Sequence, residues 1–218
     1  KTFFTIGSRK GNTTAQRMQA RAVNIVSYSN ADTDYISVAD AKTHLRVSGT
    51  DDDTYISALI SATLNIISDY VGYPVQKSVS QFVFDNGNSD TDSVLKIMSR
   101  VLSVTSVQYY DSEGVLHTAD YAAINNVFGN YGININLNSL ESDSDGDRYL
   151  VTAVTGFEKP SASADESKIF PKPMRQAALM ILGNLYDNRQ DLTIGTIQSE
   201  MPMNSKWLLN PYKIMAFI

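Results

Sequence analysis

The sequence predicts an α+β protein with a helical core, an inserted antiparallel β-subdomain and extended N- and C-terminal arms. Three observations indicate this fold. Helical spacing of apolar residues occurs over 37–76 and returns within 158–192, after a loop, whereas 77–157 alternates with the period of strands. The 218 residues, 43% hydrophobic and 19% charged, are enough to bury a core.

The composition excludes several classes of protein. The chain has no cysteine, which rules out disulfides and thiolate metal sites and favours an origin in a reducing cytosol. It has no apolar run of the length that a transmembrane helix needs.

The segment 1–36 is predicted to be a basic arm. Up to Ala31 it carries five basic and no acidic residues, whereas the remainder of the chain has a net charge of −10. Its composition is also that of a transit peptide, but its apolar spacing is poor, and an arm that orders on a partner fits better. The candidate contacts with DNA or a partner protein are Arg9, Lys10, Arg17 and Arg21.

The segment 37–76 is predicted to be a helical hairpin. Ser37 is placed to cap the first helix, and Thr50 to cap the second. The acidic run Asp51–Asp53 falls in the first turn of the second helix, where the helix dipole favours anions. Gly72 is placed to end that helix.

The segment 77–157 is predicted to form five or six short antiparallel strands. The strand-like runs are SVSQFVF, VLSVTSVQYY, VLHT, ININ and RYLVTAVTGF. The sequence DSEG between the second and third runs indicates a turn. The simplest arrangement is a β lobe projecting from the helical core.

The segment 158–192 contains a predicted helix from Pro171 to Leu192 that is apolar on nearly every side. One stripe of this helix belongs to a core, but Leu179, Met180 and Gly183 fall on the other side. The side of the helix that carries these three residues is covered either by a neighbouring subunit or by the β lobe. The stripe assigned to the core is formed by Met174, Ala177, Ala178, Ile181, Leu182, Leu185 and Tyr186.

The segment 193–218 is predicted to be a docking arm without a helix, because Gly195, Pro202 and Pro211 interrupt it. Its apolar content is nevertheless high. Such a tail either folds back on its own domain or anchors the chain to a partner.

No catalytic or cofactor-binding pattern is evident, so we expect a protein that is not an enzyme and binds no cofactor. His44 and His117 lie in different predicted elements without a neighbouring nucleophile or acid in pattern. The acidic run Glu141–Arg148 begins like a calcium loop, but its twelfth position is Thr152 where a bidentate glutamate is required. We therefore predict no metal site.

Four segments, in order, resemble the head–tail connector (adaptor, or head completion) proteins of tailed bacteriophages, in their longer form with a β insertion. The hairpin contributes Ala41, His44, Leu45, Arg46, Asp51–Asp53, Ile56, Leu59, Ile60, Tyr70 and Gly72. The β segment contributes Ser103, Val104, Val107, Tyr109, Asp111, Gly114 and Tyr121. The late helix contributes Pro173, Arg175, Gln176, Ala177, Leu182, Tyr186, Asn188 and Arg189, and the tail contributes Pro202, Leu208, Leu209, Pro211 and Tyr212.

The resemblance implies a virion structural protein that is made in the host cytoplasm and located at the head–tail interface. It implies a dodecameric ring beneath the portal that extends the DNA channel and contacts the next neck or tail protein. An acidic lumen would let DNA slide. The expected oligomer and portal interface comprises Met180, Gly183, Tyr186, Arg189, Trp207, Leu208, Leu209, Pro211, Tyr212 and Phe217.

Two other functions are compatible with parts of the sequence. A β-rich carbohydrate- or receptor-binding module would present an exposed aromatic platform built from Tyr109, Tyr110, Tyr121 and Tyr131. A hydrolase would bring two carboxylates together in a pocket, and no motif in this chain predicts that arrangement.

Overall fold

The chain forms two compact units, each assembled from separate parts of the sequence. The β unit comprises Lys1–Ser29 and Ser78–Gly156, and the helical unit comprises Asn30–Lys77 and Phe157–Ile218. None of the described helices has the length and hydropathy to cross a membrane. The computed structural model describes residues 3–5, 18–19, 22–85, 94–111, 113–124, 132–137, 148–160, 165–189 and 203–214.

The described part of the helical unit has four α-helices and two short 3-10 helices. The α-helices are α1 (Val38–Leu45), α2 (Asp53–Val71), α3 (Lys172–Asp187) and α4 (Met203–Leu209). The 3-10 helices are Asp32–Asp34 and Asn210–Tyr212.

The helix ends agree in part with the predicted caps. Ser37 caps α1 as predicted, since its Oγ accepts a hydrogen bond from the amide of Asp40. The predicted side-chain cap at Thr50 is wrong, because α2 begins only at Asp53 and Thr50 offers its backbone oxygen to that residue's amide at 3.2 Å. Gly72 ends α2 with φ +87°, a left-handed conformation that glycine adopts without strain.

Helix α3 packs on both helices of the hairpin, as the sequence predicts. Its buried side meets the buried side of α2, and the two apolar surfaces are removed from water together. The buried residues of α2 are Ile56, Ile60, Thr63, Leu64, Ile67 and Val71; those of α3 are Met174, Ala177, Ala178, Ile181 and Leu182.

A single buried side chain, Tyr35, joins three segments of the helical unit. Its hydroxyl donates to the carbonyl of Phe157 at 3.0 Å and accepts from the amide of Lys77 at 2.7 Å. Asn30 Nδ2 lies at 3.3 Å from the same oxygen. These three partners stand where the chain enters or leaves the helical unit, so one phenol holds those segments together. Burial raises the pKa of Tyr35.

The β unit contains ten described strands in two sheets. The strands are β1 (Phe3–Thr5), β2 (Met18–Gln19), β3 (Ala22–Tyr28), β4 (Ser78–Asp85), β5 (Val94–Ile97), β6 (Val101–Tyr110), β7 (Leu116–Thr118), β8 (Tyr121–Ile124), β9 (Ile133–Leu137) and β10 (Arg148–Thr155). The six-stranded sheet has the order β1-β3-β4-β10-β6-β7, and the four-stranded sheet has the order β2-β5-β9-β8. All pairs are antiparallel except β2 with β5.

The core of the β unit takes side chains from both sheets. Strict alternation in β4, β9 and β10 sends every second residue into this core. Its fully buried members from the six-stranded sheet include Phe84, Val107 and Val151, and those from the four-stranded sheet include Leu95 and Ile135. The alternating runs that predicted a β insertion are therefore explained by one shared apolar interior.

Two predictions about the ends of the chain need correction. The segment 1–36, predicted to be an arm, contains β3, and its Tyr35 and Ile36 are buried. The segment 193–218, predicted to lack a helix, contains α4. Strands β5 and β8 were also missed, because their sequences, VLKI and YAAI, do not alternate apolar with polar residues.

Truncation of Leu182 tests whether α3 is part of the core. The side chain is fully buried, so Leu182→Ala is expected to lower the free energy of unfolding by about 2–5 kcal/mol. Gln176→Ala, at an exposed position of the same helix, is the matched control and should change it by less than about 0.5 kcal/mol. Urea denaturation of the purified chain provides the measurement. A Leu182→Ala chain of undiminished stability that fails to associate would instead assign this residue to a subunit interface.

Candidate assembly surface

The first turn of α1 is joined to the start of α3 by a charged contact. Arg175 Nη2 donates a hydrogen bond to Asp40 Oδ2, and Ser37 Oγ donates to the same oxygen at 2.5 Å. The hydroxyl of Ser37, followed by the guanidinium of Arg175, lowers the pKa of Asp40. Asp40, whose amide donates to the cap residue Ser37, thus also positions α3 through Arg175.

A second contact joins the end of α3 to the start of α2. The hydroxyl of Tyr186 donates to Asp52 Oδ2, and Arg189 Nη2 lies 3.4 Å from the same oxygen. The guanidinium of Arg189 stacks over the rings of Tyr55 and Tyr186, at 4.8 and 4.7 Å from their centroids. The hydrogen bond from Tyr186 lowers the pKa of Asp52 and correspondingly raises that of Tyr186.

Two of the residues assigned to an interface therefore have partners within their own chain. Tyr186 is half-buried against α2, whereas the side chain of Arg189 is still 52% exposed beyond the end of α3. The apolar stripe identified in the sequence includes Tyr186, and Arg189 continues it by one further turn of the helix. Nothing in the sequence indicates that Asp52, in the acidic turn before α2, is the partner of both residues.

Gly183 and Met180 lie on the side of α3 whose packing partner the sequence did not determine. A Cβ atom at Gly183 would lie 3.6 Å from His44 Nε2 and 3.9 Å from Leu45 Cδ2, so the end of α1 approaches α3 there. Leu179, Met180 and Gly183 are all half-buried, so this side of α3 is partly covered within the chain.

The C-terminal segment is held on the helical unit. Leu209 is fully buried, the amide of Ile214 donates to the carbonyl of Val71 at 3.0 Å, and Tyr70 donates to Asn210 Oδ1 at 2.5 Å. Leu209 was assigned to the subunit interface, and its burial within its own unit corrects that assignment. Part of the tail thus folds back, the alternative that the sequence left open.

The opposite side of the same segment is exposed and apolar. Met203, Trp207 and Pro211 recur at intervals of four residues, and we term these three the Trp207 stripe. Met203 is 67% exposed and Trp207 is 65% exposed, whereas Leu208 and Tyr212 are half-buried. Burial raises the pKa of Tyr212. An exposed tryptophan beside a methionine is typical of residues that a partner covers.

The aromatic platform of a carbohydrate-binding module is not formed by the described tyrosines. Tyr109 is half-buried between His117 and Tyr149, with ring centroids 5.3 and 6.1 Å away. Tyr121 is half-buried, whereas Tyr110 is exposed, and Tyr131 lies outside the described residues.

Other predicted residues have the following positions. Arg9, Lys10, Arg17, Arg21, Phe217 and the acidic run 141–147 lie outside the described residues. His117 Nε2 lies 2.7 Å from Asp111 Oδ2 in an exposed hairpin. In the described part of the chain, no three acidic or histidine side chains are grouped as a metal site would require.

The fold is that of proteins in the neck of phage-like particles. One solved chain, from "Neck of empty GTA particle computed with C6 symmetry", is 17% identical with a TM-score of 0.65. Another, from "Virion of native gene transfer agent (GTA) particle", is 18% identical with a TM-score of 0.64. A third, from "Neck of native GTA particle computed with C12 symmetry", is 16% identical with a TM-score of 0.61. Each match covers 90% of this chain and 97% of the other.

Residues 34–200 match the head completion protein family. This match spans more than half of the chain and runs through both units, so the chain belongs to the head completion protein family and is a virion structural protein of the head–tail region. No curated protein sequence gives a significant match.

The contact between Asp52 and the end of α3 predicts a pH-dependent stability. The folded state lowers the pKa of Asp52, so the ionised carboxylate stabilises the folded chain. This stabilisation is present above the ordinary aspartate pKa and is lost as the pH falls through the lowered value. The gap in urea midpoint between the native chain and Asp52→Asn should therefore be larger near about pH 6 than near about pH 2.5. Asp69→Asn, at an exposed position on the same helix, is the control. An equal gap at both pH values would contradict a charged contact here.

Proposed function

We propose that the chain is a head–tail connector: copies form a ring beneath the portal, extend the DNA channel and present a surface to the next neck or tail protein. The observation that carries this proposal is the family match over residues 34–200, which includes the hairpin, the β segment and the late helix.

The symmetry of the solved neck structures supports a ring. The matched chains belong to necks computed with sixfold and twelvefold symmetry, and each is covered over 97% of its length. A dodecamer is the ring that the family resemblance in the sequence implies. Identical subunits in a ring contact one another through two different surfaces, so each copy needs at least two interfaces besides its axial partners.

The charge of the chain supports a channel through which DNA moves. From Asp32 onward the net charge is −10, so a lumen lined by this part would repel phosphates and leave the genome free to slide. The part of the chain before Asp32, by contrast, carries five basic residues and no acidic ones. In this proposal Arg9, Lys10, Arg17 and Arg21 make nonspecific contacts with packaged DNA or with an axial partner.

The Trp207 stripe is the part of the chain that we assign to the portal. It lies on α4 and the 3-10 helix that follows, and the buried side chain of Leu209 fixes the other side of this segment. Binding therefore costs little conformational entropy for the exposed side chains. Lys206 and Lys213 flank the stripe, and residues 203–214 contain no acidic residue. We therefore expect the portal surface that receives Trp207 to be an apolar groove with an acidic rim.

Replacing Met203 and Trp207 tests this attachment. Met203→Lys with Trp207→Ala removes two exposed side chains and should leave the urea midpoint of the free chain nearly unchanged. Binding to DNA-filled, portal-bearing heads should weaken about thirtyfold, as expected when an interface hot spot worth roughly 2 kcal/mol is lost. Co-sedimentation of the chain with tail-less heads measures this.

The control for this experiment is Asn204→Ala, an exposed position on the same short helix. It should bind heads as the native chain does. Normal binding by the double variant would place the portal contact elsewhere, and particles that join tails fully in the absence of this chain would contradict the proposed function itself.

A further inference from the structure

The exposed large apolar side chains of the described residues are concentrated in three places. Met203 and Trp207 belong to the Trp207 stripe. Within the described ranges, all the others lie on the two opposite edges of the six-stranded sheet, and they are Val26, Tyr28, Tyr110, Val115 and Leu116. Single exposed apolar residues need no explanation, but their concentration on both edges of one sheet indicates two surfaces that a partner covers.

The first of these surfaces is the hairpin formed by the end of β6 and by β7, which we term the β7 edge (residues 110–118). Strand β7 is the last in the order of its sheet, and residues 113–118 are all exposed. Val115 is 50% exposed and Leu116 is 42% exposed. The β7 edge is therefore both unpaired on its outer side and apolar.

The backbone of β7 has hydrogen-bonding groups directed away from the sheet. The amide of Ala119 donates to a carbonyl of β6 at 2.9 Å, and the carbonyl of Val115 accepts from the residue that follows β6 at 3.0 Å. In an antiparallel pair the residues bonded to the partner strand alternate with residues that face outward. The N–H and C=O groups of Leu116 and Thr118 therefore point away from β6.

The conformation of this hairpin is fixed within the chain by Asp111. Its Oδ1 accepts hydrogen bonds from the amides of Glu113 at 3.0 Å and Val115 at 2.8 Å. Its Oδ2 lies 2.7 Å from His117 Nε2. The amide of Gly114, a residue with φ +79°, donates to the carbonyl of Asp111 at 3.0 Å. A hairpin held in this way loses little conformational entropy when it docks.

The second surface lies at the opposite end of the sheet, and we term it the β3 edge (residues 26–29). Strand β1 pairs only with residues 22–24, so no described strand pairs with the rest of β3 on the side away from β4. The four residues of the β3 edge are all exposed, with Val26 at 57% and Tyr28 at 48%. Four strand spacings separate β3 from β7, which puts the two edges about 19 Å apart.

The two edges belong to segments of opposite charge. Residues 110–120 contain three acidic residues, Asp111, Glu113 and Asp120, and no lysine or arginine. The β3 edge belongs to the segment up to Ala31, which has five basic and no acidic residues. Copies that each carry an acidic apolar edge and an apolar edge in a basic segment are complementary when they associate head to tail.

We propose that the β7 edge of one copy docks on the β3 edge of the next copy in the ring. This inference rests on the proposed function, since it assigns the two lateral surfaces that each subunit of a ring requires. The exposed apolar side chains form the centre of the contact, and the charged groups form its rim. The outward N–H and C=O groups of Leu116 and Thr118 extend the sheet of one copy towards that of the next.

A second copy accounts for both edges, whereas other occupants account for one. A different protein would cover one edge and leave the exposed apolar residues of the other in water. In a ring, a single kind of contact covers both edges of every subunit. Nucleic acid is excluded from the β7 edge, because three acidic residues and no lysine or arginine repel phosphates.

The absence of cysteine allows a direct test on DNA-filled, portal-bearing heads that lack this chain. Val26→Cys copies and Val115→Cys copies are mixed in equal amounts, bound to the heads and treated with a short bismaleimide. Each copy has one thiol, so every link joins two copies, and mass spectrometry identifies the linked positions. Val26→Cys copies mixed with Ala122→Cys copies are the matched control, since Ala122 is an exposed residue of the other sheet.

Links between positions 26 and 115 should exceed those between positions 26 and 122 at least about tenfold, and should exceed links between like positions by the same factor. No excess over the control, or a majority of links between like positions, would overturn the proposal. Both substitutions alter exposed residues and should leave the urea midpoint of the free chain nearly unchanged. If either variant is unstable, Tyr28→Cys and Leu116→Cys take their places in the same experiment.

Glu113→Lys tests the charge of the contact, and Glu166→Lys, at an exposed position of the helical unit, is the control with the same change in charge. At low salt, and at a concentration at which the native chain half-fills the heads, Glu113→Lys should bind at least about threefold less than the control. Equal binding would overturn the acidic-to-basic contact.

Failure of this inference is distinguishable from failure of the proposed function. Tails that join heads only when this chain is present, without links between positions 26 and 115, would overturn the inference alone. Tails that join heads in the absence of this chain would overturn the proposed function.

Discussion

The packing of α3 on the N-terminal hairpin is the constraint on which the helical unit depends. The partners in its two charged contacts, Asp40 with Arg175 and Asp52 with Tyr186, are 135 and 134 residues apart in sequence. Between them the buried sides of α2 and α3 meet, so the charged contacts set the direction of α3 while apolar burial supplies most of the stability. Without this return of the chain, Ile60 and Leu182 would both face water.

The same packing creates the platform for the C-terminal segment. Helix α4 contacts α3 and, more weakly, α2, and Ile214 is hydrogen-bonded to the last residue of α2. Seven helical residues would not hold a helix in isolation, so α4 depends on the surface beneath it. Anchoring one side through Leu209 is what leaves Trp207 exposed in a fixed orientation. A connector needs this combination, because a rigid presented side chain loses less entropy on binding than a free tail.

The sequence predicted the elements whose apolar residues recur regularly and missed those in which the period is broken. Helix α3 and strands β4, β6, β9 and β10 show such a period. Strand β3 was hidden by Asn24 and Ser27 and by the irregular pairing beside Val26, which break the alternation. Helix α4 is only two turns long, and the nearby prolines indicated an irregular segment.

The candidate site shows the limit of reasoning from a helical stripe. Tyr186 and Arg189 were assigned to an interface, although the stripe of α3 on which they lie was assigned to the core. Their partners, Asp52 and Tyr55, belong to a distant segment whose position only the tertiary structure shows.

The most direct test of the account is a cryo-electron microscopy reconstruction, without imposed symmetry, of particles in which this chain carries a small fused density marker at its C-terminus. The account predicts one closed ring of marked subunits at a single capsid vertex, directly below the portal, with α4 turned towards the portal. Marker density at the tail tip, around the capsid surface, or as isolated copies that do not form a ring would contradict it.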